Sequence, residues 1–195
     1  MNLIQYVPLA VRTEKPLPTL GRMEHSCLGL ITEIGEVVTE IKRIHVYKKP
    51  LDAERKKNIL EEVGDVMWYV AIMFAAIKVD MQAVNNAPRF DQFVNEPNAL
   101  SGMALMLGEH CGRVCSLVSA CCIEPENVEM AIPLLLASLV MIVNGMRVLA
   151  EMCGSTLELE MDNNIAKLRI RFPDAYSDEA AEARADKGGA DARVS

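Results

Sequence analysis

The sequence predicts an all-α fold, an antiparallel helical bundle, on three observations. Apolar residues recur at helical spacing through four long windows, 20–45, 53–78, 101–122 and 127–153. Breaks rich in proline, asparagine and lysine fall between them, around 47–52, 86–98 and 124–126. The run VMWYVAIMFAAI, beginning at Val66, is apolar on every side, which marks a helix buried by other helices. With 195 residues, 51% of them hydrophobic, the chain is long enough for one compact domain and marginal for two.

Taken in order, residues 1–19 hold Pro8, Pro16 and Pro18 with little periodicity and are expected to form an extended arm. In the window 20–45, Cys27, Leu30, Ile34, Val37, Val38 and Ile41 make an apolar face, and Gly29, Glu33, Glu36 and Glu40 lie opposite. Tyr47 to Asp52 is a connection. The next helix is amphipathic in its first half, through Ile59, Leu60, Val63, Val66 and Met67, and buried all round beyond Asp65. Residues 86–98 read as a linker. A second helix pair then covers 101–122 and 127–153, and Gly154-Ser155-Thr156 restarts a helix that ends at Phe172-Pro173. Residues 178–195, rich in Ala, Glu, Asp and Gly, are expected to form a short exposed helix and a frayed end. Setting LITEIGEVV beside MLGEHCGRV, and ILEEVGDVM beside LLLASLVMI, shows a faint repeat of helix pairs. The second copy keeps Glu109 but has Ala137 and Val140 where the first has Glu62 and Asp65, so it reads as a degenerate half; the alternative is an unrelated helical insertion.

Composition narrows the function classes. The chain has 27 acidic and 20 basic residues, a net charge of -7, which argues against a general binder of nucleic acid or of a membrane surface. No basic segment followed by an apolar core opens the sequence, so no signal peptide is expected. The run Ala131 to Val143 is too short to span a bilayer and contains Pro133. Six cysteines lie mostly in apolar helical runs without paired CxxC spacing. His110, Cys111 and Cys115 are close enough in sequence for a zinc site, but reduced core cysteines of a cytosolic protein are the reading taken.

The chemistry-bearing residues are acidic pairs. Glu33 and Glu36, and Glu62 and Asp65, stand at i, i+3, which puts each pair on one helix face. On antiparallel helices the two pairs would point four carboxylates into one space, where each disfavours ionisation of the others. A hard divalent cation with oxygen ligands is the natural counter-charge, and Mg²⁺ held this way commonly also holds substrate phosphates. Gly35 and Gly64 beside the pairs would let a backbone or ligand approach closely. Asn164, Lys167 and Arg171 fall at i, i+3 and i+7 on one face, a cationic counterpart suited to phosphate. Either set alone is commonplace on solvated helices; together they suggest a site for a polyphosphate substrate. Lys48 and Lys49 would reach phosphates only if their loop closed over the site, and Trp68 reads as core or as a platform for a base. No role falls to His25, His45 or His110.

The segments GLITEIGEVVTEIKR, VYKKPLD, LEEVGDVMWYVA and NNIAKLRIRFPDAYSDEAAEARADK resemble, in this order, the MazG-like all-α nucleoside triphosphate pyrophosphohydrolases. These are relatives of the dimeric dUTPases and of phosphoribosyl-ATP pyrophosphohydrolase. The resemblance covers roughly half the chain, and its paired ExxE and ExxD with KLxxRxP form a specific signature. It implies that Glu33, Glu36, Glu62 and Asp65 ligate Mg²⁺, or Mn²⁺ in its place, and that Asn164, Lys167 and Arg171 contact the nucleotide or its phosphates. It departs from the family at Phe172, where a tyrosine is usual, and in the long segment between the second acidic helix and KLxxR.

The domain division that follows is an arm over 1–19, one MazG-like domain over 20–173, and an acidic, alanine-rich tail over 174–195. Within the domain, 20–90 would be the first helix pair with the metal site, and 99–173 the degenerate second repeat plus the phosphate-binding helix. The implied reaction is hydrolysis of a nucleoside triphosphate to monophosphate and diphosphate, with Glu36 and Glu62 in the catalytic set and Trp68 and Lys49 as further substrate contacts. Alternatives are a dUTPase or dCTPase, an alarmone hydrolase, or a catalytically silent helical protein that binds nucleotide or mediates oligomerisation. A homo-oligomer is expected, a dimer above all, in the cytoplasm of a bacterium or of a phage-infected bacterium.

Overall fold

Leu3, Tyr6, Val7 and Ala10 repeat at i, i+3, i+4 and i+7, and the chain folds them into a helix, α1 (Leu3–Val11). The computed structural model of the chain, described over residues 1–85 and 98–183, thereby corrects the extended arm expected for 1–19. The physical reason lies in the N-terminal capping box. Asn2 accepts from the Gln5 amide at 3.0 Å while the Gln5 side chain accepts from the Asn2 amide at 3.0 Å. With the start fixed and one face buried, Pro8 is tolerated within the helix.

The four long helices form as expected: α2 (Thr19–His45), α3 (Ala53–Ala76), and, after a short α4 (Met81–Asn85), α5 (Ala99–Ile123) and α6 (Val128–Met152). A 3₁₀ turn, Pro125–Asn127, joins the last two. Helix α7 (Leu157–Arg171) and a short α8 (Asp178–Ala183) follow. Among the described residues no strand occurs, and the fold is all-α. The linker expected at 86–98 and the frayed end beyond 183 lie outside the described residues, apart from Asn98, which precedes α5.

Helix ends are set locally. Asp52 caps α3 by accepting from the Arg55 amide, and Thr156 caps α7 by accepting from the Leu159 amide. Between α6 and α7, Gly154 takes φ +85°, and the amides of Gly154 and Ser155 return to the carbonyls of Glu151 and Ala150, a left-handed stop that frees α7 to turn back.

Helix α2 packs on α3 and α5, and α6 packs on α3 and α5, so the two helix pairs close into a four-helix arrangement. Met23, Leu30, Ile34 and Val37 of α2 meet Ile59, Val63, Val66, Met67 and Val70 of α3 in one core, which Leu107, Val114, Leu135, Leu139 and Met146 extend into the second pair. The second pair carries no acid cluster among the described residues: Ala137 is exposed, Val140 half-buried, and Glu109 is an exposed i, i+4 partner of Arg113. The stretch Pro125–Met152 is long and apolar enough, by length and composition alone, to cross a membrane, longer than the run Ala131 to Val143 suggests. More than half of its most apolar window, 56%, is buried inside the fold.

Helix α7 is clamped between α3 and α1. The Arg12 guanidinium donates to the carbonyls of Pro173 and Asp174, and Lys15 pairs with Asp178 at 2.7 Å, so the segment after α7 is tied back rather than trailing. Tyr176 stacks on the buried Phe172 with ring centroids 5.6 Å apart. Tyr176, four residues on in a non-helical segment, thus supplies a phenol beside the Phe172 ring.

Two glycines govern how closely helices approach. A Cβ on Gly29 would lie 2.0 Å from the Tyr69 ring, so α2 and α3 cross there with no room for a side chain. At Gly64 a Cβ would lie 3.1 Å from the Asn164 Cβ, which brings α7 close against α3. Gly29 and Glu40, expected on a polar outer face of α2, are both buried. Glu40 is neutralised by Arg43 and by Arg55 at 4.0 Å, a pairing across the two helices that periodicity does not show. Gly35, by contrast, faces open space.

Candidate active site

The α2–α3 crossing places Glu33 beside Glu62 and Asp65. One carboxylate oxygen from each lies within 4.8 Å of the other two. This cluster lines a cavity of about 860 Å³, together with Glu36, Glu61, Trp68 and Tyr69, and with Lys167, Arg171, Phe172 and Tyr176 from the α7 side. Thr13, Lys15 and Leu17, from the connection between α1 and α2, also contribute to the wall.

The electrostatics of the cluster are those of a site short of positive charge. Burial, then a hydrogen bond with Glu33, then the charges of Glu36 and Asp65 push the Glu62 carboxyl up to about 9. Asp65 is supported instead: it accepts from Asn164 Nδ2 at 2.9 Å and from Lys167 Nζ at 2.8 and 2.5 Å. Lys167 also lies 3.6 Å from Glu61. Tyr69 is pushed up to about 12, by burial first and then by the charges of Glu33 and Asp65, so it stays a neutral phenol in the cavity wall.

Asn164 is buried and both ends of its amide are used. Its Oδ1 accepts from the Tyr6 hydroxyl at 2.8 Å while its Nδ2 serves Asp65. Tyr6 is itself fully buried, with its pKa held well up by burial and then by the charge of Asp65. The chain Tyr6, Asn164, Asp65 thus fixes one acid of the cluster from α1 through α7. Replacing Tyr6 by phenylalanine is expected to cost about 1–3 kcal/mol, because the buried Asn164 carbonyl loses its donor. Urea denaturation checks this, and an unchanged midpoint would refute it.

Among the residues singled out from the sequence, the structure brings Glu33, Glu62 and Asp65 into the cluster. Glu36 stands on the same cavity, exposed, with its charge felt at Glu62 but outside the three-carboxylate group. Lys167, Arg171 and Trp68 line the cavity. The Trp68 indole N–H is taken by the Ala10 carbonyl at 3.2 Å and Thr13 Oγ1 at 3.0 Å, leaving the ring itself as wall, edge-on to Tyr69 and His25. Asn164 is brought to Asp65 as a support. Lys49 and Lys48 do not join: they sit in the exposed Val46–Asp52 loop and do not line the cavity. Nine residues of helix separate Glu36 from His45, about 14 Å of rise, which carries that loop away from the acids. Tyr6, Thr13, Lys15, Glu61, Tyr69 and Tyr176 were not legible as site residues. For Tyr6 a signal existed, in the N-x-x-Q box at Asn2 followed by the Leu3, Tyr6, Val7, Ala10 spacing.

The donor set fits a hard divalent cation. Three convergent carboxylates are oxygen ligands of the kind Mg²⁺ or Mn²⁺ takes, and the Glu62 carboxyl, pushed up to about 9, marks a cluster short of positive charge even with Lys167 on Asp65. The folded state keeps the Glu62 proton up to about 9, whereas the unfolded chain releases it near the ordinary 4.5. Between those values the folded state binds more protons, so without metal the stability contributed here falls as pH rises through that window. Thermal melts of metal-free protein are expected to show the midpoint declining from pH 5 to pH 9. Excess Mg²⁺ is expected to restore it most at the alkaline end, with about one proton released per cation bound. A midpoint flat with pH in metal-free protein would contradict the shared proton.

Residues 23–87 match the family model of the MazG nucleotide pyrophosphohydrolase domain. Nothing among curated proteins and nothing among solved structures matches the chain significantly. The matched segment contains Glu33, Glu36, Glu62 and Asp65 and stops short of α5, α6 and α7. The likeness to the MazG nucleotide pyrophosphohydrolase domain thus lies in the helix pair that gathers the acid cluster, about a third of the chain.

Proposed function

We propose that this protein is a divalent-cation-dependent nucleoside triphosphate pyrophosphohydrolase, converting a ribo- or deoxyribonucleoside triphosphate and water to the monophosphate and diphosphate. The observation that carries this reading is a single cavity with Glu33, Glu62 and Asp65 on one side and Lys167 and Arg171 on the other, in a chain whose acidic helix pair is MazG-like. Acids that gather a cation and bases that meet phosphate are the two halves that a polyphosphate anion requires.

Glu33, Glu62 and Asp65 would hold the cation. When bound, Mg²⁺, or Mn²⁺ in its place, supplies charge neutralisation and acidifies water for attack on phosphorus. Glu36, solvent-exposed at the edge of the cluster, is placed to accept the proton of the attacking water. Lys167 and Arg171 stabilise charge on the departing diphosphate. The rings of Trp68, Tyr69 and Phe172 give the base an aromatic wall. Lys167 and Arg171 line the same cavity as the acids of their own chain, which supports a cationic half supplied in cis. The protein is read as a cytoplasmic homo-oligomer, a dimer above all; light scattering that returned the mass of one chain would remove the dimer.

Product analysis tests the reaction. Purified protein incubated with each common nucleoside triphosphate is expected to release monophosphate and diphosphate, with Mg²⁺ or Mn²⁺ and not without. The ranking of bases separates a dUTPase or dCTPase from a broader enzyme. Release of orthophosphate and diphosphate-terminated nucleotide would overturn the pyrophosphohydrolase reading. Turnover on guanosine tetraphosphate alone would replace the substrate, and silence on every substrate would leave a helical binding protein.

A further inference from the structure

Asp65 has more partners than a cation ligand can keep. Both of its oxygens accept from the Lys167 ammonium, and Oδ1 also accepts from Asn164. A divalent cation on the same carboxylate would stand within a few ångströms of that ammonium, and two positive charges there repel. One partner must yield, and the structure distinguishes them. Asn164 is 4% exposed, its amide is held at the other end by Tyr6, and its Cβ abuts Gly64. Lys167 is half-buried on a flexible four-carbon stem and lines two cavities at once, the large one with the acids and a smaller one of about 460 Å³ between α3 and α7. It can leave without breaking the core.

We propose that Lys167 is a built-in counter-ion of the acid cluster that the incoming cation displaces from Asp65, so that cation and nucleotide phosphate bind cooperatively. This rests on the reading of the cluster as the cation site of a nucleotide hydrolase. Displaced from Asp65, the Lys167 ammonium is one helical turn from Arg171 in the same cavity, facing the space a phosphate chain occupies. Without phosphate, its alternative partner is the exposed Glu61, 3.6 Å away, a weaker, solvent-screened pairing. Cation alone therefore pays for breaking a close ion pair, and phosphate returns that cost by taking the freed ammonium. By reciprocity, the cation raises phosphate affinity by the factor by which phosphate raises cation affinity.

The experiment is Mn²⁺ binding followed by electron paramagnetic resonance, with free Mn²⁺ buffered, in the absence and presence of inorganic diphosphate. For the unaltered protein, diphosphate is expected to tighten Mn²⁺ binding about tenfold, within the usual span of such couplings. In Lys167→Met, Mn²⁺ alone is expected to bind about tenfold more tightly, and the enhancement by diphosphate to fall towards one. Lys167→Arg, which keeps the charge, is expected to retain weak binding of the cation alone. Thermal melts of each variant confirm folding, since Lys167 is outside the core. If Lys167→Met binds Mn²⁺ no better than the unaltered protein, while Glu62→Gln loses it, the counter-ion role is overturned and the cation site stands. If the unaltered protein binds no Mn²⁺ in either condition, the cation-site reading falls and the inference with it.

Discussion

Glu62→Gln is expected to lower turnover by about 10²–10³ without destabilising the metal-free protein, a combination that separates a functional acid from a structural one. In the metal-free fold Glu62 already retains its proton up to about 9, held by burial, by Glu33 and by the charges of Glu36 and Asp65. Glutamine is close in shape to that neutral acid and adds no charge to the cluster. It removes the step in stability between pH 5 and 9, so the variant's melting midpoint should be flatter with pH than that of the unaltered protein. It also removes one of three convergent oxygen anions, and cation affinity falls with it. Steady-state kinetics across Mg²⁺ concentrations, with melts at several pH values, check both halves. Retained turnover would show that Glu62 is not a ligand on which the reaction depends.

The second large effect is expected at Gly29→Ala. The new Cβ would sit 2.0 Å from Tyr69 Cε1 and 2.1 Å from Cζ, far inside contact distance, so the ring itself must move. Ser26 Oγ donates to the Tyr69 carbonyl at 2.7 Å, which pins α3 to α2 at that level. Either the Tyr69 ring swings into the cavity or the helices part. The expected cost is about 1–3 kcal/mol, the range for overfilling a packed interface. Function suffers as well, because Glu33 lies one turn beyond Gly29 and Tyr69 one turn beyond Asp65, so parting the helices widens the acid cluster. Denaturation midpoints and Mn²⁺ affinity measure the two effects. Adding Tyr69→Ala to Gly29→Ala should recover cation affinity by removing the clashing ring. No change in either measurement for Gly29→Ala would mean that the crossing is looser than its geometry.

Apolar residues at helical spacing made the four long helices legible, and Gly154-Ser155-Thr156 and Phe172-Pro173 bracketed the helix between them. Periodicity failed on α1, where a single buried face of Leu3, Tyr6, Val7 and Ala10 is interrupted by Pro8 and followed by two further prolines. It also misplaced Glu40, whose burial is compensated by Arg55 from the next helix.

The four long helices, the i, i+3 spacing of the two acidic pairs and the cationic face of α7 are readable in the chain itself, since these depend on the geometry of one helix at a time. Which groups meet is a property of the packed fold. It placed Glu33 with Glu62 and Asp65 and left Glu36 at the edge, because that choice depends on where two helices cross, and Gly29 beneath Tyr69 fixes the crossing. It turned Asn164 into a support held by Tyr6, because a buried amide must satisfy both its ends and the partners come from α1 and α3. It set Lys167 on Asp65, because α7 packs on α3 and brings that ammonium within reach of the carboxylate.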